Sequence, residues 1–392
     1  MKKGFSVSFK KFVFGLIAVY VLVFFFGLTA WADGQKAKKT DPVEKLKKEL
    51  GLSVYLQGGY TANLRGASTN DWRVFDHSGN SFTLDLMELQ FLKAPSLGHV
   101  GFKVKLSAGE TAKFIHSAGL GATQTDLPFD LTEAYVNYIA PIGSGLTLQF
   151  GKFVTFTGEE VIEAGSDYNY SRSFLFNYAI PFTHTGLMAG YTFSPALSAN
   201  VYVLNGWDDE VDNNTGKTFG LSTTVTPSSN SSMVFNFLYG PEETNDNHDN
   251  RFLFDWVGSV SPVSNLTLVA NTDYGWEKGS PTNPNGLNQD AKWYGAAFYV
   301  NYVFNSKWSG TVRAEEFKDP QGFRTLSTLS PDPFPAGTGQ NLKEVTLTGQ
   351  YTLARNLLLR PEYRHDWSNI DSFASATRDQ QDTLAMGVIY TW

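Results

Sequence analysis

The sequence predicts an all-β protein: a transmembrane antiparallel β-barrel of about sixteen strands with a short N-terminal helix. Three features predict this fold. Apolar residues recur at every second position from Gly51 onward, short turns alternate with long loops, and the last strand runs to the final residue. Residues two apart in a strand share one face of the sheet. A closed sheet leaves no backbone group unpaired in lipid, so it is one of two structures able to span a bilayer.

The N-terminal segment predicts export. Residues 1–32 carry four lysines near the start, continue as one apolar run and end in Ala30-Trp31-Ala32. This is the pattern of a secretory signal peptide, with cleavage expected before Asp33. An uncleaved membrane anchor is the alternative, because the apolar run is long enough to cross a bilayer.

Residues 33–50 form a separate, lysine-rich unit. Val43, Leu46 and Leu50 fall on one face of a helix, which predicts a short amphipathic helix in the periplasm. This helix would pack at the barrel mouth or self-associate, and a solvated linker is the alternative reading.

The barrel itself is expected over residues 51–392. These 342 residues give about 21 to each of sixteen strands, enough for the roughly 9–11 residues that cross the membrane. The strands are predicted at 51–65, 81–93, 99–109, 129–140, 145–156, 183–194, 197–206, 217–227, 231–240, 251–261, 265–276, 292–304, 307–318, 342–354, 356–367 and 381–392. Pro361 lies in mid-strand, where a distortion is expected.

The connections between strands are of two lengths that alternate. Short turns such as Pro141-Ile142-Gly143-Ser144 contrast with long segments near 66–80, 110–128, 157–182, 207–216, 241–250, 277–291, 319–341 and 368–380. Outer-membrane barrels have short periplasmic turns and long outward loops, whereas soluble sandwiches and propellers do not segregate their loops in this way. An even number of strands places both ends of the barrel on the periplasmic side.

The last strand combines two signals. Leu384, Met386, Val388, Tyr390 and Trp392 alternate with mostly small residues, so one face is apolar and ends in an aromatic side chain. We expect this strand to close the barrel against the strand near Val54–Tyr60, with Trp392 in the periplasmic aromatic girdle.

Composition excludes several classes of function. The chain has 31 Lys and Arg against 38 Asp and Glu, and without residues 1–32 the net charge becomes −11, which does not suit a nucleic-acid partner. No cysteine is present, which excludes disulfides, cysteine-ligated zinc and covalently attached haem. No cofactor is expected.

Charged side chains on the inward face of the strands are the first functional candidates. A sixteen-stranded barrel can hold an aqueous channel, and the pore-lining candidates on the wall are Lys103, Lys105, Glu133, Gln149, Arg313, Glu315, Arg360, Glu362 and Arg364. They form either a filter that selects solutes by charge or salt bridges that only hydrate the wall.

The third long loop, 157–182, is the second candidate. It contains Glu159, Glu163 and Arg172 among six aromatic residues, and such dense aromatic side chains are costly on an exposed loop. We predict that it bends into the lumen and narrows it, with its acids facing wall arginines across the opening. A loop that packs outward on its neighbours or on lipopolysaccharide is the alternative.

Several motifs carry a family resemblance. Leu148-Gln149-Phe150-Gly151-Lys152-Phe153 and Gly158-Glu159-Glu160 precede Asn169-Tyr170-Ser171-Arg172-Ser173 and Pro181-Phe182-Thr183-His184-Thr185-Gly186, and Asn205-Gly206-Trp207-Asp208 follows the seventh strand. In these segments the chain resembles the OmpL-like beta-barrel porins of Gram-negative outer membranes. The resemblance implies a porin-like channel in the outer membrane, with no catalytic residues to carry over. It also implies that the barrel assembly machinery recognises Tyr390 and Trp392.

The residue types suggest two other kinds of site, a calcium site and a protease site. The acidic segments Asp208–Asp212 and Glu242–Asp246 could supply oxygen ligands to calcium, but EF-hand spacing is absent and a solvated surface is the default. Asp76-His77 and His365-Asp366 invite comparison with outer-membrane proteases, but such enzymes use smaller barrels. Neither a metal site nor enzymatic activity is expected.

The function that fits these features is an outer-membrane porin, a water-filled channel for passive diffusion of ions and small polar solutes. The alternative is a barrel that acts as an adhesin or as a scaffold around a periplasmic or haem-bearing partner. The expected partners are outer-membrane lipid, lipopolysaccharide and the barrel assembly machinery. Porins of this size are often trimers, but the sequence shows no apolar patch beyond the lipid-facing belt that would define a homotrimer interface.

Overall fold

Sixteen antiparallel strands close into one barrel in this computed structural model, which describes residues 47, 50–120, 128–280, 289–325 and 338–392. Each strand pairs with its neighbours in sequence, and β1 pairs with β16. The strands are β1 (Ser53–Asn63), β2 (Ser81–Lys93), β3 (Val100–Ala108), β4 (Phe129–Ala140), β5 (Leu146–Val154), β6 (Thr183–Ser194), β7 (Leu197–Leu204), β8 (Thr218–Ser228), β9 (Ser231–Pro241), β10 (Asn250–Val263), β11 (Leu266–Ser280), β12 (Gln289–Val303), β13 (Trp308–Asp319), β14 (Gln340–Ala354), β15 (Leu357–Ser368) and β16 (Gln380–Thr391). The predicted fold class and strand number are confirmed.

The alternation in the sequence sets which side chains face lipid. On β12, Phe298 and Val300 are 56% and 44% exposed on the outer surface, whereas the alternating Ala297 and Tyr299 are 0% and 2% exposed. A lipid-facing belt of apolar side chains is favourable because the bilayer core, unlike water, does not penalise it.

The two ends of the chain's barrel region close the sheet. Leu56 lies opposite Tyr390 in the register of β1 and β16. Beyond the last assigned pair, Val54 and Trp392 exchange two backbone hydrogen bonds, with N···O distances of 2.9 and 2.8 Å. Trp392 remains 38% exposed at this end of the barrel.

The barrel wall is locally irregular at two positions. The register of β1 and β2 shifts between Gln57 and Gly58, and at this bulge both Asp85 and Leu86 are buried inside the barrel. The distortion expected at Pro361 is mild, because the pairs on either side of it, Thr348↔Glu362 and Tyr351↔Leu359, keep the same register.

Helical segments are short. The α-helix α1 (Glu110–Phe114) follows β3, and loop 157–182 contains a 3-10 turn (Ala164–Ser166) and a π-helical turn (Leu175–Ala179). Among the described residues, no helix is both long and apolar enough to cross a membrane. Signal peptide 1–32 lies outside the described residues, as does helix 33–50 apart from Lys47 and Leu50, which are helical; both stay predictions.

Candidate permeation pathway

Loop 157–182 lies inside the barrel, where carboxylates of the wall accept hydrogen bonds from its backbone. Asp255 on β10, Glu315 on β13 and Glu362 on β15 are each at most 6% exposed. Their oxygens accept N–H groups of Gly158 at 2.9 Å, Phe174 at 2.6 Å, Leu175 at 2.5 Å, Tyr170 at 2.7 Å and Ser171 at 3.0 Å. A buried irregular segment needs such partners, because each unpaired backbone group is costly away from water.

Arginines of the wall bind the carbonyl groups of the same loop. Arg360 donates to the carbonyls of Ala164, Asn169 and Asp167. Arg313 donates to the Ser171 carbonyl at 2.8 Å and to the Glu160 carboxylate at 2.6 Å, and Arg364 donates to the Arg172 carbonyl at 2.5 Å. Wall and loop thus form one buried network of charge-assisted hydrogen bonds.

This network includes most of the wall charges that the sequence singled out. Arg313, Glu315, Arg360, Glu362 and Arg364 do face inward, but the loop covers them, and their exposed fractions are between 0% and 6%. They hold the loop instead of lining open water. The sequence could not reveal this, because loop backbone groups leave no pattern in the residue types.

Arg172 belongs to the same buried network. Its guanidinium donates to the carbonyls of Val161, Ile162 and Tyr170 and lies 3.0 Å from Oδ2 of Asp167, and the residue is 1% exposed. Arg172 therefore ties two stretches of the loop together and does not face an opening.

The aromatic side of the loop forms an apolar core inside the barrel. Phe174, Phe176 and Tyr178 are at most 2% exposed and pack with Trp293 and Phe317 of the wall. The first long loop completes this core with Trp72, Val74 and Phe75, which the sequence reading missed although the segment is rich in large apolar residues. Arg73 anchors that loop through ion pairs with Asp366 at 2.6 Å and Asp76 at 2.7 Å.

The loop also borders a cavity of about 530 Å³ near the ends of β1, β2 and β3 that lie beside Trp392. We call it the periplasmic cavity. The residues that line it include Lys103, Lys105, Glu88 and Glu163. Lys105 contacts Glu163 of the loop, and its Nζ lies 3.8 Å from Oε1 of Glu88 and 3.2 Å from Oε2 of Glu133. The structure thus brings together the candidates Lys103, Lys105, Glu133 and Glu163 and adds Glu88, whose face the β2 bulge obscures in the sequence.

A second, much smaller cavity lies further along the same wall. It has a volume of about 10 Å³, room for about one water molecule, and its lining includes Thr61, Thr83, Asp85 and Glu110. We call it the extracellular cavity. Asp85 also accepts a hydrogen bond from the Tyr170 hydroxyl at 2.6 Å, so loop and wall touch at its border.

Glu159 lies away from these cavities. Its N–H donates to Oδ1 of Asn271 on β11 at 3.3 Å, which places it on the wall opposite Lys105. Burial raises the pKa of Glu159 to about 7, and the neighbouring carboxylates of Glu160 and Asp255 add to the increase. Glu159 and Glu163 therefore contact different parts of the wall, and their role at a constriction stays a prediction.

The acidic loop segments serve local structure. Oδ1 of Asp208 accepts N–H groups of Phe182 and Thr183, and Oε2 of Glu242 accepts the Trp207 N–H at 2.7 Å. Within the described parts of the chain, no three His, Cys, Asp or Glu side chains are grouped to hold a metal ion.

His365 and Asp366 point to opposite faces of β15, where His365 pairs with Asp382 and Asp366 with Arg73.

Comparisons with known proteins agree with this architecture. The family model "Putative beta-barrel porin-2, OmpL-like" matches residues 49–392, whereas no curated protein gave a significant match. Among solved structures, the chain is similar to the outer membrane channel DcaP of Acinetobacter baumannii (13% identity, TM-score 0.57, 87% of this chain and 96% of that chain). It is also similar to OprB of Pseudomonas putida (12%, 0.57, 89% and 96%) and to OmpF of Salmonella typhi (12%, 0.58, 87% and 97%).

These neighbours share the fold at low identity, and the family match covers most of the sequence. Their common structure is the closed barrel of an outer-membrane channel. The chain belongs to the OmpL-like family of outer-membrane beta-barrel porins.

Proposed function

We propose that this porin conducts ions and small polar solutes passively along the wall formed by β1, β2 and β3. The observation that carries this route is the periplasmic cavity of about 530 Å³, whose charged lining includes Lys103, Lys105, Glu88 and Glu163. Charged groups of both signs favour hydrated, polar solutes over apolar ones. Between loop 157–182 and strands β12 and β13, close-packed aromatic side chains fill the part of the interior that the structure describes.

The two cavities lie along a single line of the wall. On β2, Glu88 borders the periplasmic cavity and Asp85 borders the extracellular cavity. Three residues of a strand span roughly 10 Å, so a short barrier separates the two cavities. Tyr170 and Gln57 both donate to Oδ2 of Asp85 and occupy this barrier.

Cysteine blocking tests the route directly, because the chain has no cysteine of its own. Gln90→Cys places a thiol in the lining of the periplasmic cavity. A charged methanethiosulfonate reagent should then reduce the single-channel conductance in a planar bilayer. Ser229→Cys, on the exposed turn between β8 and β9, is the matched control and should be labelled without loss of conductance. Complete labelling of Gln90→Cys with unchanged conductance would place the route elsewhere.

The export of the chain is part of the proposal. Residues 1–32 would be removed as a signal peptide, and residues 33–50 would remain in the periplasm. N-terminal sequencing of protein isolated from outer membranes should begin at Asp33. A mature chain that still begins at Met1 would support the uncleaved anchor instead.

We further propose a homotrimeric assembly. It is supported by the trimer form of OmpT from Vibrio cholerae, which shares the fold at 10% identity and a TM-score of 0.51. Light scattering of the detergent-solubilised protein should give three chains per particle, and a single chain per particle at all detergent concentrations would refute it.

A further inference from the structure

A row of lysines marks one sector of the outer surface near the extracellular ends of the strands. Lys292 on β12, Lys318 on β13 and Lys343 on β14 face outward, because their chain neighbours Trp293, Phe317 and Leu342 are fully buried inside the barrel. All three lie close to long loops, at the end of the barrel opposite Trp392. The row is local, since the chain as a whole carries a formal net charge of −7.

Two of these lysines converge on one carboxylate. Nζ of Lys318 and Nζ of Lys343 lie 3.4 and 3.3 Å from Oε1 of Glu316, so the two nitrogens are less than 7 Å apart. Their side chains are 37% and 38% exposed, and Asn341 donates to the same oxygen at 2.9 Å. Two ammonium groups against one carboxylate leave a net positive charge at this point.

Aromatic residues around the row place it at the level of lipid headgroups. Tyr294 lies directly opposite Lys318, and Trp367 lies directly opposite Lys343, both on the outer face. Tyrosine and tryptophan favour the membrane–water interface, and lysine side chains there extend their ammonium groups toward the polar region. On the other side of the barrel, the same level carries the apolar Phe82 and Phe129, which are 85% and 59% exposed.

We propose that Lys292, Lys318 and Lys343 bind a phosphate group of lipid A in the outer leaflet. A phosphomonoester with several acceptor oxygens fits between two ammonium groups less than 7 Å apart, and it would displace Glu316 from them. Nearby acids limit the sector: Asp249 pairs with Lys278 at 3.4 Å, and Asp290 lies beyond Lys292 toward the loop. The phosphate therefore binds at β12–β14, where Glu316 is the competing anion.

Native mass spectrometry of folded protein, incubated with lipid A that carries both phosphates, tests the proposal. Folding of each variant is verified first by the heat-dependent shift in gel mobility. Lys318→Gln with Lys343→Gln should lower lipid A retention on the order of tenfold, given the attraction of single lysines to anionic headgroups. The charge-matched control, Lys93→Gln with Lys217→Gln, removes two exposed lysines elsewhere and should retain lipid A as the wild type does.

A gain-of-function variant separates binding from structural damage. Glu316→Gln removes the competing carboxylate and should raise lipid A retention severalfold. Equal retention by wild type, Glu316→Gln and the double lysine variant would overturn the proposal. So would equal retention of dephosphorylated lipid A, or equally effective displacement by phosphatidylglycerol, because either result means that the sector does not recognise the lipid A phosphate.

Discussion

Tyr170 connects loop 157–182 to the wall at the barrier between the two cavities. Its hydroxyl donates to Asp85, and its ring lies against Gly59 of β1 and Gly387 of β16, where any Cβ atom would overlap it. The two glycines therefore let the ring approach the backbone of the wall. Neither could be assigned this role from the sequence, because β1 has two adjacent glycines and small residues are common on the inward face of β16.

Removing this ring should widen the proposed route. Tyr170→Ala is expected to increase the single-channel conductance in planar bilayers, because the bulkiest group in the barrier is lost. Tyr239→Ala is the matched control, since Tyr239 is 51% exposed on the lipid-facing surface, and its conductance should equal that of the wild type. An unchanged conductance in folded Tyr170→Ala would mean that Tyr170 does not limit the flow.

Glu242 should make stability depend on pH. Burial raises its pKa from 4.5 to about 7, although Arg251 and the hydrogen bonds from Thr218 and Trp207 oppose the increase. The folded protein therefore holds a proton on Glu242 between pH 4.5 and about 7 that the unfolded chain has lost. The resulting stabilisation is fully present below pH 4.5 and disappears as pH rises to about 7, a change of about 3 kcal/mol.

The variant Glu242→Gln isolates this contribution. Its unfolding midpoint, followed by gel mobility from pH 4 to pH 8, should lack the decline that the wild type shows. Gln keeps an oxygen for the Trp207 N–H, so the loop contact survives the change. Parallel pH profiles of the two proteins would assign the titration to other groups.

At the scale of elements, loop 157–182 was partly predictable. Its density of aromatic residues predicts contact with a surface, and in the structure these residues pack inside the barrel. The residue types could not show which partner each charged side chain binds. Arg172 and Arg313 look alike in sequence, yet one binds its own loop and the other joins wall to loop.

Loss of Arg172 should destabilise the loop more than it alters selectivity. Arg172→Ala leaves Asp167 buried without its partner and frees three carbonyls, which should cost roughly 3–5 kcal/mol in unfolding free energy. Arg378→Ala, at an exposed loop position, should change stability by less than about 0.5 kcal/mol. Urea titration in detergent compares the two, and equal stabilities would contradict the assigned role.

The terminal strand β16 closes the barrel, and the aromatic residue that ends it, Trp392, takes part in this closure. Deleting Trp392 removes both backbone hydrogen bonds with Val54 and the last aromatic residue of the periplasmic end. We expect less folded protein in the outer membrane, measured as the heat-modifiable fraction, with the conductance of each remaining channel unchanged. Trp392→Phe keeps the backbone bonds and an aromatic ring, so it should assemble nearly normally. Normal assembly of the deletion would refute this role.

For the whole molecule, the barrel could be predicted from the sequence, whereas the packing of its interior could not. Alternation specifies strands because lipid and lumen impose opposite requirements on adjacent residues, and the predicted boundaries lie close to the observed ones, as for 129–140 and 183–194. The interior depends on contacts between distant loops. The pairing of Arg73 with Asp366, almost three hundred residues apart, has no signature in a single sequence.

The barrel interior is thus divided into a packed side and a polar side. Wall charges that could have lined a pore instead hold loop 157–182, and the charged groups of the periplasmic cavity remain for solute contact. This division predicts a channel narrower than the barrel's strand number alone would suggest.

The most direct test of conduction is the current through purified wild-type protein in a planar lipid bilayer. Folded protein, verified by its heat-dependent gel shift, should insert in discrete steps and carry a current proportional to voltage. Its unitary conductance should be below that of a variant whose loop 157–182 is replaced by a short linker. Bilayers that stay silent with correctly folded protein would contradict the account of this chain as an open porin.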